Sequence, residues 1–304
     1  MHIPQVSVLM TVYNREQFLR DAVSSVLGSG FTDFELIIVD DCSKDASAKL
    51  AAELAATDSR IRFVQNEKNL GDYGNRAKAA ALARGRFLKY VDSDDMIYPH
   101  TLEVMYRSVT GCSNVGLALS HSQSEAERPY PLCLSSEAAW RRQFLGRGCL
   151  ACGPTGAIIC RSAFESVGGF RAEWGVLSDI DLWLRLAAIR PVVLMPPGLV
   201  WWRRHEGQEY SSDGAEFVYL ARGMALTRAA LRGSDNPLSP ADTREALGRA
   251  EQHHARRLLA LLFRKQRPRL FWQAFRQSGL NWGTLLQGLK PYRRPVIGDS
   301  GRAE

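Results

Sequence analysis

Along the first hundred residues of the chain, runs of apolar residues alternate with segments in which apolar residues recur at helical spacing. Runs rich in Val, Ile and Leu predict strands, and these runs are VSVLMTVY (6–13), FELIIVDD (34–41), IRFVQN (61–66) and RFLKYVD (86–92). Apolar residues at helical spacing predict helices between them, over residues 16–29, 43–57 and 71–85. Gly28 and Gly30 would close the first helix, and Ser43 is the predicted N-cap of the second. The alternation predicts βαβ units, and hence an α/β fold with a mostly parallel sheet that helices cover on both faces.

The pattern loosens after Pro99. Helices are predicted over residues 101–109, 135–145 and 178–189, and extended segments over 115–122, 156–162 and 192–204. From about residue 213 to residue 290 the chain is predicted to be helical, with one apolar stripe formed by Trp282, Leu285, Leu286 and Leu289. We therefore predict a sheet domain over residues 1–212, with halves at 1–100 and 101–212, and a helical C-terminal extension over 213–304.

The chain carries a net charge of +7, and the excess lies near its C-terminal end. Residues 243–304 contain 13 Lys and Arg against 4 Asp and Glu. Such a segment predicts contact with an anionic surface, either nucleic acid or a membrane. No nucleic-acid recognition motif accompanies it, so we expect no nucleic-acid partner. A solvated helical hairpin or an oligomer contact is the competing explanation.

Cysteine usage and hydropathy predict a cytoplasmic protein. The six cysteines are scattered, and the lone CxxC at Cys149 and Cys152 has no second pair of ligands for a structural zinc ion. We therefore expect reduced thiols. No apolar run approaches the roughly 18–20 residues of a membrane span. The start, MHIPQVSVLMTVY, lacks the basic region and cleavage site of a signal peptide.

Polar residues follow the predicted strands where each strand ends. Asp40 ends the second run, and the fourth run leads into Asp92, Asp94 and Asp95. Ligands of open parallel sheets bind at this edge. No GxGxxG follows the first strand, and GxxxxGK[ST] occurs nowhere in the chain, so glycine-rich phosphate loops are excluded. Adjacent carboxylates predict Mg²⁺ or Mn²⁺ held together with substrate phosphates, and a solvated acidic turn is the alternative.

Several separated motifs, taken in order, resemble the family 2 glycosyltransferases, which have the GT-A fold, a Rossmann-like arrangement for nucleotide-diphospho-sugars. The motifs cover roughly residues 4–212 and are VSVLMTVYNREQFLRDAVSSVL, FELIIVDDCSKDAS, NLGDYGNRAKAAALARGRFLKYVDSDDMIYP, GGFR, SDIDLWLRLA and WWRRHEGQ. The resemblance implies that residues 1–100 bind a nucleotide sugar and that residues 101–212 form the acceptor side. The stretch DSDD would then contain the DxD motif of the family.

The resemblance also implies roles for individual residues. Thr11 and Tyr13 would line the nucleotide pocket, and Asp40 would accept a hydrogen bond from a uracil or thymine N–H. Asp95 either joins the metal site or caps the following turn. The remaining implied residues are Asn69 and Asn75 in the donor-binding segment, Asp92 near the ribose and the metal, Asp94 as the main metal ligand, His205 at the metal or diphosphate, and Arg203 beside the departing phosphate.

Asp179 matches the family position of the catalytic base, which would deprotonate the acceptor hydroxyl opposite the leaving diphosphate. Asp181 is the competing candidate. Where family members often have Glu-Asp, this chain has Ser178-Asp179. A first-turn Asp that interacts with the helix dipole is the structural alternative for Asp179.

The resemblance implies a metal-dependent, inverting transferase that moves one sugar from a UDP or dTDP sugar to a saccharide or lipid-linked acceptor in cell-surface polysaccharide or glycolipid synthesis. The membrane spans of processive relatives are missing, so we expect single additions. The basic tail would bring the enzyme to the inner face of the plasma membrane. A non-catalytic nucleotide-sugar sensor or scaffold is the alternative. A dehalogenase-type phosphatase, whose motif is DxDx[TV], is disfavoured because Met96 occupies the fifth position.

Overall fold

In the part of the chain that the structure describes, ten strands form a large sheet and a small two-stranded sheet. The computed structural model describes residues 2–120, 128–205 and 213–290. The strands are β1 (Val6–Val12), β2 (Phe34–Asp40), β3 (Ile61–Gln65), β4 (Phe87–Tyr90), β5 (Met96–Ile97), β6 (Leu117–Ser120), β7 (Leu132–Leu134), β8 (Ala157–Cys160), β9 (Val192–Met195) and β10 (Val200–Trp201). The large sheet has the order β3-β2-β1-β4-β8-β6-β9-β7, and β10 pairs with β5.

Eleven α-helices connect or follow these strands within the described ranges. They are α1 (Leu19–Leu27), α2 (Ser47–Thr57), α3 (Asp72–Leu82), α4 (Thr101–Thr110), α5 (Ser136–Leu145), α6 (Arg161–Ser166), α7 (Ser178–Ile189), α8 (Asp213–Arg232), α9 (Pro240–Phe263), α10 (Pro268–Ser278) and α11 (Trp282–Gln287). The predicted mostly parallel sheet flanked by helices is confirmed, and so is the helical C-terminal region. The helix predicted over 178–189 has the predicted bounds.

Parallel pairing brings the carboxyl ends of the first strands to one edge. Val12 of β1 pairs with Asp40 of β2, and Asp40 pairs with Gln65 of β3. β4 runs parallel to β1 on its other side. Every residue of β2 is buried, as expected for a strand covered on both faces. The register therefore places the polar residues that follow these strands side by side.

The core below β1 and β2 is built from aliphatic side chains. Leu19, Val23 and Val26 of α1 are fully buried against the sheet, together with Leu102 and Met105 of α4. Their spacing of three to four residues places each set on one face of its helix. Burial of this apolar stripe fixes each helix on the sheet and leaves the loops at the carboxyl edge to carry polar chemistry.

The predicted start of the second helix was wrong. The segment 43–57 was expected to be helical with Ser43 as N-cap, whereas α2 begins at Ser47. Ser43 Oγ instead accepts a hydrogen bond from Asn14 N at 2.9 Å, and Asn14 Oδ1 accepts one from Lys44 N at 2.8 Å. Residues 43 and 44 therefore form hydrogen bonds with the loop after β1, and the helix begins only at Ser47.

The chain divides into two compact units that interleave along the sequence. The first comprises residues 1–134, 152–172 and 190–204, and the second comprises 135–151, 173–189 and 205–304. The predicted division has a single boundary after residue 212. The division into separate domains over 1–212 and 213–304 stays a prediction. Residues 206–208, the last three of the WWRRHEGQ motif, lie outside the described residues.

The second unit has its own apolar core. Leu220 and Met224 of α8 pack with Leu258 of α9 and with Phe271 and Phe275 of α10. No helix in the described part of the chain is both long and apolar enough to cross a bilayer.

The predicted apolar stripe near the C-terminus is not buried as one face. Leu285 is buried, but Trp282, Leu286 and Leu289 are 56%, 59% and 61% exposed. The reason is that α11 ends at Gln287 after only six residues, so a single turn of it contacts the core.

Candidate functional site

The carboxylate of Asp40 lies at the end of β2, fully buried, with one oxygen engaged. Its Oδ2 accepts hydrogen bonds from Ser43 N at 3.0 Å and from Gln65 Nε2 at 3.4 Å. Among the described residues none donates to Oδ1. Burying an acceptor without a hydrogen-bond donor costs roughly 1–3 kcal/mol. The unsatisfied Oδ1 at this edge therefore indicates a ligand that donates a hydrogen bond to it.

Asp41, the next residue, organises the loop between β3 and α3. Its carboxylate accepts hydrogen bonds from Leu70 N at 2.8 Å, Gly71 N at 2.9 Å and Asn66 Nδ2 at 2.7 Å. Gly71 has φ +76°, a conformation that suits glycine. The buried Asp41 thus fixes the course of the loop in which Asn69 lies.

The two predicted asparagines occupy different environments. Asn69 is exposed and donates from Nδ2 to the carbonyl of Asp41 at 3.2 Å. Asn75 is buried, accepts from Asn66 Nδ2 at 3.0 Å and donates to the carbonyl of Val39 at 3.0 Å. Asn75 therefore holds α3 against β2 from inside, and direct contact with a donor stays a prediction for both asparagines.

Asp92, after β4, is paired with an arginine that the sequence analysis did not single out. Arg76 Nη2 donates to Asp92 Oδ1 at 2.8 Å, and Arg76 also forms an ion pair with Asp72 at 3.0 Å. Although burial acts against its charge, Asp72 and Asp92 raise the pKa of Arg76 well above its usual value. Arg76 Nη1 is buried without an acceptor in the described part of the chain.

Asp94 is paired with a second arginine that was not anticipated. Arg15, on the loop after β1, donates from Nε to Asp94 Oδ2 at 3.2 Å. The backbone N–H of Arg15 donates to Ser47 Oγ at 2.8 Å, which anchors this loop to the start of α2. The close carboxylates of the DSDD stretch are therefore accompanied by guanidinium groups on two neighbouring elements.

Asp95 and Arg203 join the DSDD loop to the segment after β10. Asp95 is buried and accepts a hydrogen bond from Arg203 N at 3.2 Å, while Arg203 Nε donates to the carbonyl of Asp94 at 3.0 Å. Burial and the charges of Asp92 and Asp94 raise the pKa of Asp95 to about 7. Asp95 therefore binds the backbone of a distant segment, and its predicted roles, in the metal site or as a cap of the following turn, stay predictions. The same contacts also place the predicted phosphate contact, Arg203, next to Asp94.

Lys89 lies fully buried in β4, beneath the acidic loop. Its Nζ donates to the carbonyl of Tyr90 at 2.9 Å and to that of Thr155. Burial lowers the pKa of Lys89 to about 7, although Asp92 and Asp95 act to raise it. Thr155 also accepts a hydrogen bond at Oγ1 from Asp92 N, at 3.1 Å. Lys89 and Thr155 thus support the acidic loop from inside the sheet.

Thr11 and Tyr13 lie at the end of β1, beside the strand that carries Asp40. Thr11 pairs with Val39 in the register of β1 and β2, and it is partly buried. Tyr13 is 42% exposed. The structure therefore brings eight predicted residues together in the first unit, and these are Thr11, Tyr13, Asp40, Asn69, Asn75, Asp92, Asp94 and Arg203.

The predicted base belongs to the second unit. Asp179 is in the first turn of α7, is partly buried, and accepts a hydrogen bond from Ile180 N at 2.7 Å. Asp181 is buried and forms an ion pair with Arg185 at 2.6 Å. Because its carboxylate is committed to Arg185, Asp181 is the weaker candidate. His205 is partly buried and also belongs to the second unit.

The donor set fits a divalent ion that shares its ligands with a substrate. In the part of the chain that the structure describes, no three His, Cys, Asp or Glu side chains gather closely enough to form a metal site alone. Mg²⁺ and Mn²⁺ often bind through one or two carboxylates and complete their shells with phosphate oxygens and water. Asp92 and Asp94, both partly exposed, have the chemistry for this mode.

Three residues at this edge had weak signals in the sequence. A lysine inside the apolar run RFLKYV is unusual and could have marked Lys89 as a buried charge. Arg76 stands in an Ala-rich segment, whose composition predicts only helix packing. Arg15 lies in a polar loop where an arginine is ordinary, so only the fold shows that it contacts Asp94.

A family model supports the resemblance. The model described as Glycosyl transferase family 2 matches residues 7–168, which is more than half of the chain. Among curated relatives, the succinoglycan biosynthesis protein ExoO of Rhizobium meliloti is 35% identical over 103 residues, which cover 34% of this chain and 29% of that protein. The first two curated relatives are also matched over less than half of their own lengths, 31% and 42%.

Solved structures share the fold at low sequence identity. S. aureus TarS 1-349, in complex with UDP-GlcNAc, is 20% identical with a TM-score of 0.57, over 90% of this chain and 88% of that chain. The Pyrobaculum calidifontis mannosyltransferase PcManGT, in complex with GDP-Man and Mn²⁺, is 15% identical with a TM-score of 0.63, over 94% and 78% of the two chains.

Proposed function

Since the chain belongs to glycosyltransferase family 2, we propose that it transfers one sugar from a nucleotide-diphosphate sugar to an acceptor hydroxyl, with inversion at the anomeric carbon. The nucleotide would be of the UDP or dTDP type. The acceptor would be a saccharide or a lipid-linked saccharide in cell-surface polysaccharide or glycolipid synthesis, which the name of the Rhizobium relative supports.

The observation that carries the proposal is the buried, undonated Oδ1 of Asp40. A uracil or thymine ring has an N–H beside carbonyl groups, and this N–H can complete the carboxylate. Because Ser43 N and Gln65 Nε2 hold the other oxygen, the carboxylate is oriented before a base arrives. Thr11 and Tyr13, at the end of the neighbouring strand, would line the rest of the nucleotide pocket.

Asp92 and Asp94 would hold Mg²⁺ or Mn²⁺ together with the donor diphosphate, and His205 is a further proposed ligand. Such an ion supplies positive charge to the leaving diphosphate. Arg203, whose side chain is anchored to the carbonyl of Asp94 at 3.0 Å, would add a fixed positive charge near the same group. Arg76, held by Asp72 and Asp92, would do the same from α3.

Asp179 would accept the proton of the acceptor hydroxyl, while the hydroxyl oxygen attacks the anomeric carbon and the nucleoside diphosphate leaves with the bonding electrons. Asp179 lies in the first turn of α7, where the positive end of the helix dipole interacts favourably with a carboxylate. Asp181 would instead hold Arg185 and stiffen the same turn.

The C-terminal helices would contact an anionic membrane that contains the acceptor. Phe263, Trp272, Trp282, Leu286 and Leu289, which we name the C-terminal apolar surface, are each between 46% and 72% exposed. Trp272 and Trp282 contact each other with ring centroids 5.8 Å apart. Arg256, Arg257 and Arg264 line a cavity of about 480 Å³ together with Phe263 and Leu289. Exposed aromatic groups beside arginines match the interface of a membrane with acidic headgroups.

A donor screen tests the proposed activity. The purified full chain with Mn²⁺ should hydrolyse a UDP or dTDP sugar slowly without an acceptor, and an excess of chelator should stop this release. ADP, GDP, UDP and dTDP sugars are compared by thermal shift with Mn²⁺ present, because bound ligand raises the unfolding midpoint. No stabilisation by any nucleotide sugar would contradict the proposal. Donor binding without hydrolysis or transfer to any acceptor would favour the scaffold alternative.

A further inference from the structure

Four arginines surround a cavity at the amino edge of the large sheet, opposite the edge that carries Asp40 and Asp92. The cavity has a volume of about 330 Å³ and is lined by Arg84, Arg86, Arg161 and Arg190. It lies where β4 begins and β8 ends, at the pair Phe87 and Cys160. All of its lining residues belong to the first unit.

The fold holds these arginines close together in spite of their repulsion. Arg161 N donates to the carbonyl of Arg86 at 3.0 Å, so the antiparallel pairing of β4 and β8 continues to this point. Arg161 Nε donates to the carbonyl of Gly85 at 2.8 Å, which orients its guanidinium group. The stem of Arg190 packs on Gly116, where an added Cβ would come within 2.9 Å of Arg190 Cβ.

Carboxylates neutralise only half of this charge. Glu35 pairs with Arg84 at 2.9 Å, and Glu165 pairs with Arg161 at 3.1 Å. Within the described ranges, neither Arg86 nor Arg190 forms an ion pair, and no Asp or Glu lines the cavity. Two guanidinium charges at one cavity therefore lack a counterion, and guanidinium groups match the geometry of phosphate oxygens.

The remaining lining adds neutral donors and an apolar wall. Ser162 and Asn114 offer a hydroxyl and an amide, and Val109 and Val115 are buried aliphatic residues. Although burial acts to raise it, hydrogen bonds from Ser162 and Ala163 and the charge of Arg190 lower the pKa of the Cys160 thiol. The cavity is thus electropositive at its wall, and it is larger than a phosphate ion needs.

We propose that Arg86, Arg161 and Arg190 form a second anion site, which binds the phosphate group of a phosphate ester and packs the organic part of that ester against Val109 and Val115. The site is independent of the carboxylate-lined edge and of the proposed transfer reaction. The phosphate can come from a small soluble ester or from a lipid headgroup.

Equilibrium dialysis of the full chain in EDTA, with labelled inorganic phosphate and with glycerol phosphate, tests the site. Arg86→Gln and Arg190→Gln keep the side-chain stems and remove one charge each. Lys49→Gln, on the exposed face of α2, removes the same charge elsewhere and is the control. We expect each arginine variant to weaken binding at least fivefold and the control to bind like the wild type. Phosphate held at the carboxylate-lined edge is common to all variants and cancels in the comparison.

Vesicles distinguish the two sources of the phosphate. Binding to phosphatidylcholine vesicles with and without phosphatidate is measured for the same four proteins. Arginine-dependent binding of the soluble esters identifies a small ligand, and arginine-dependent binding of phosphatidate vesicles alone identifies a headgroup. A local readout is the alkylation rate of Cys160, followed by peptide mass spectrometry, which bound phosphate should slow in the wild type. Equal binding by Arg86→Gln, Arg190→Gln and wild type in every arm overturns the proposal, as does absence of binding in every arm.

Discussion

Arg15 Nε donates a hydrogen bond to Asp94 Oδ2 at 3.2 Å, and this contact joins the loop after β1 to the acidic loop after β4. The Arg15 side chain is 30% exposed and that of Asp94 is 16% exposed. A cation therefore already accompanies the proposed main metal ligand before any ion or donor binds. A metal ion at Asp94 has to share this carboxylate with Arg15 or displace it.

We expect Arg15→Gln to raise the affinity for Mn²⁺ in the absence of nucleotide by about fivefold, because a partly exposed ion pair contributes about 1 kcal/mol. Electron paramagnetic resonance of free Mn²⁺ measures the affinity without relying on turnover. Asp94→Ala should abolish the Mn²⁺ site, and Lys44→Gln, an exposed residue of the neighbouring loop, serves as the control. Unchanged Mn²⁺ binding in Asp94→Ala would refute the metal assignment.

Asp40→Asn should weaken UDP binding about 10- to 100-fold while the fold is retained. Ser43 N and Gln65 Nε2 require an acceptor at the position of Oδ2, so the new amide group must point where Oδ1 was, and a donor then faces the base N–H. One lost hydrogen bond with an unsatisfied donor amounts to roughly 1–3 kcal/mol. Calorimetric titration with UDP checks the affinity, and the thermal midpoint checks the fold. Wild-type affinity in the variant would exclude Asp40 as the base contact.

Asp179→Asn and Asp181→Asn should fail in different ways. Asp179→Asn should keep donor binding and lose at least 1,000-fold in transfer, because the general base is removed. Asp181→Asn should lower the free energy of unfolding by about 3 kcal/mol, since it removes the carboxylate charge from a largely buried ion pair with Arg185. Radiolabelled sugar transfer and urea unfolding separate the two effects. Persistent transfer by Asp179→Asn would assign the base to another residue.

The second unit should lose stability as the pH falls below about 6.5. His254, in α9, is buried, and its Nε2 has no partner in the described residues. Burial, together with the facing charges of Arg257, His253 and Arg228, lowers the pKa of His254 from 6.5 to about 4. The unfolded chain therefore takes up the proton first, and the stability contributed by the neutral ring is present above pH 6.5 and lost as the pH falls toward 4.

We expect this loss to reach about 3 kcal/mol near pH 4 and to be absent in His254→Leu. Urea unfolding between pH 7 and pH 4.5, followed by tryptophan fluorescence, measures it. His100→Gln, at an exposed histidine before α4, should keep the wild-type pH dependence. The same slope in His254→Leu and wild type would show that other groups cause the loss.

The C-terminal apolar surface should bind acidic vesicles. We expect the wild type to sediment with phosphatidylglycerol vesicles, much less with phosphatidylcholine vesicles, and less at high salt. Trp282→Ser with Leu286→Gln should weaken this partition at least tenfold without unfolding, because both residues are more than half exposed. Ile189→Gln, at the exposed end of α7, is the matched apolar control. If the double variant sediments like the wild type, the surface serves another contact.

Periodicity allowed much of the fold to be predicted. The four apolar runs of the first hundred residues form strands, and the helical segments between them connect these strands in parallel. The boundaries were less accurate where a loop competes with a helix, as at Ser43, whose hydroxyl pairs with Asn14 instead of capping α2. The short strands β5 and β7 have no distinctive pattern, and partners far along the chain define them.

The sequence by itself determined which strands end in carboxylates and that the first strands run parallel, since both follow from local pattern and from the helices that connect the strands. Tertiary structure alone decided which groups meet those carboxylates. Arg15 and Asp94 are 79 residues apart, and Arg203 and Asp95 are 108 apart. No local pattern encodes such pairs, because they depend on the register of strands and on the course of loops. The acidic loop therefore predicted a cation, and the fold placed Arg15 and Arg76 beside the carboxylates for which the sequence predicted a metal ion.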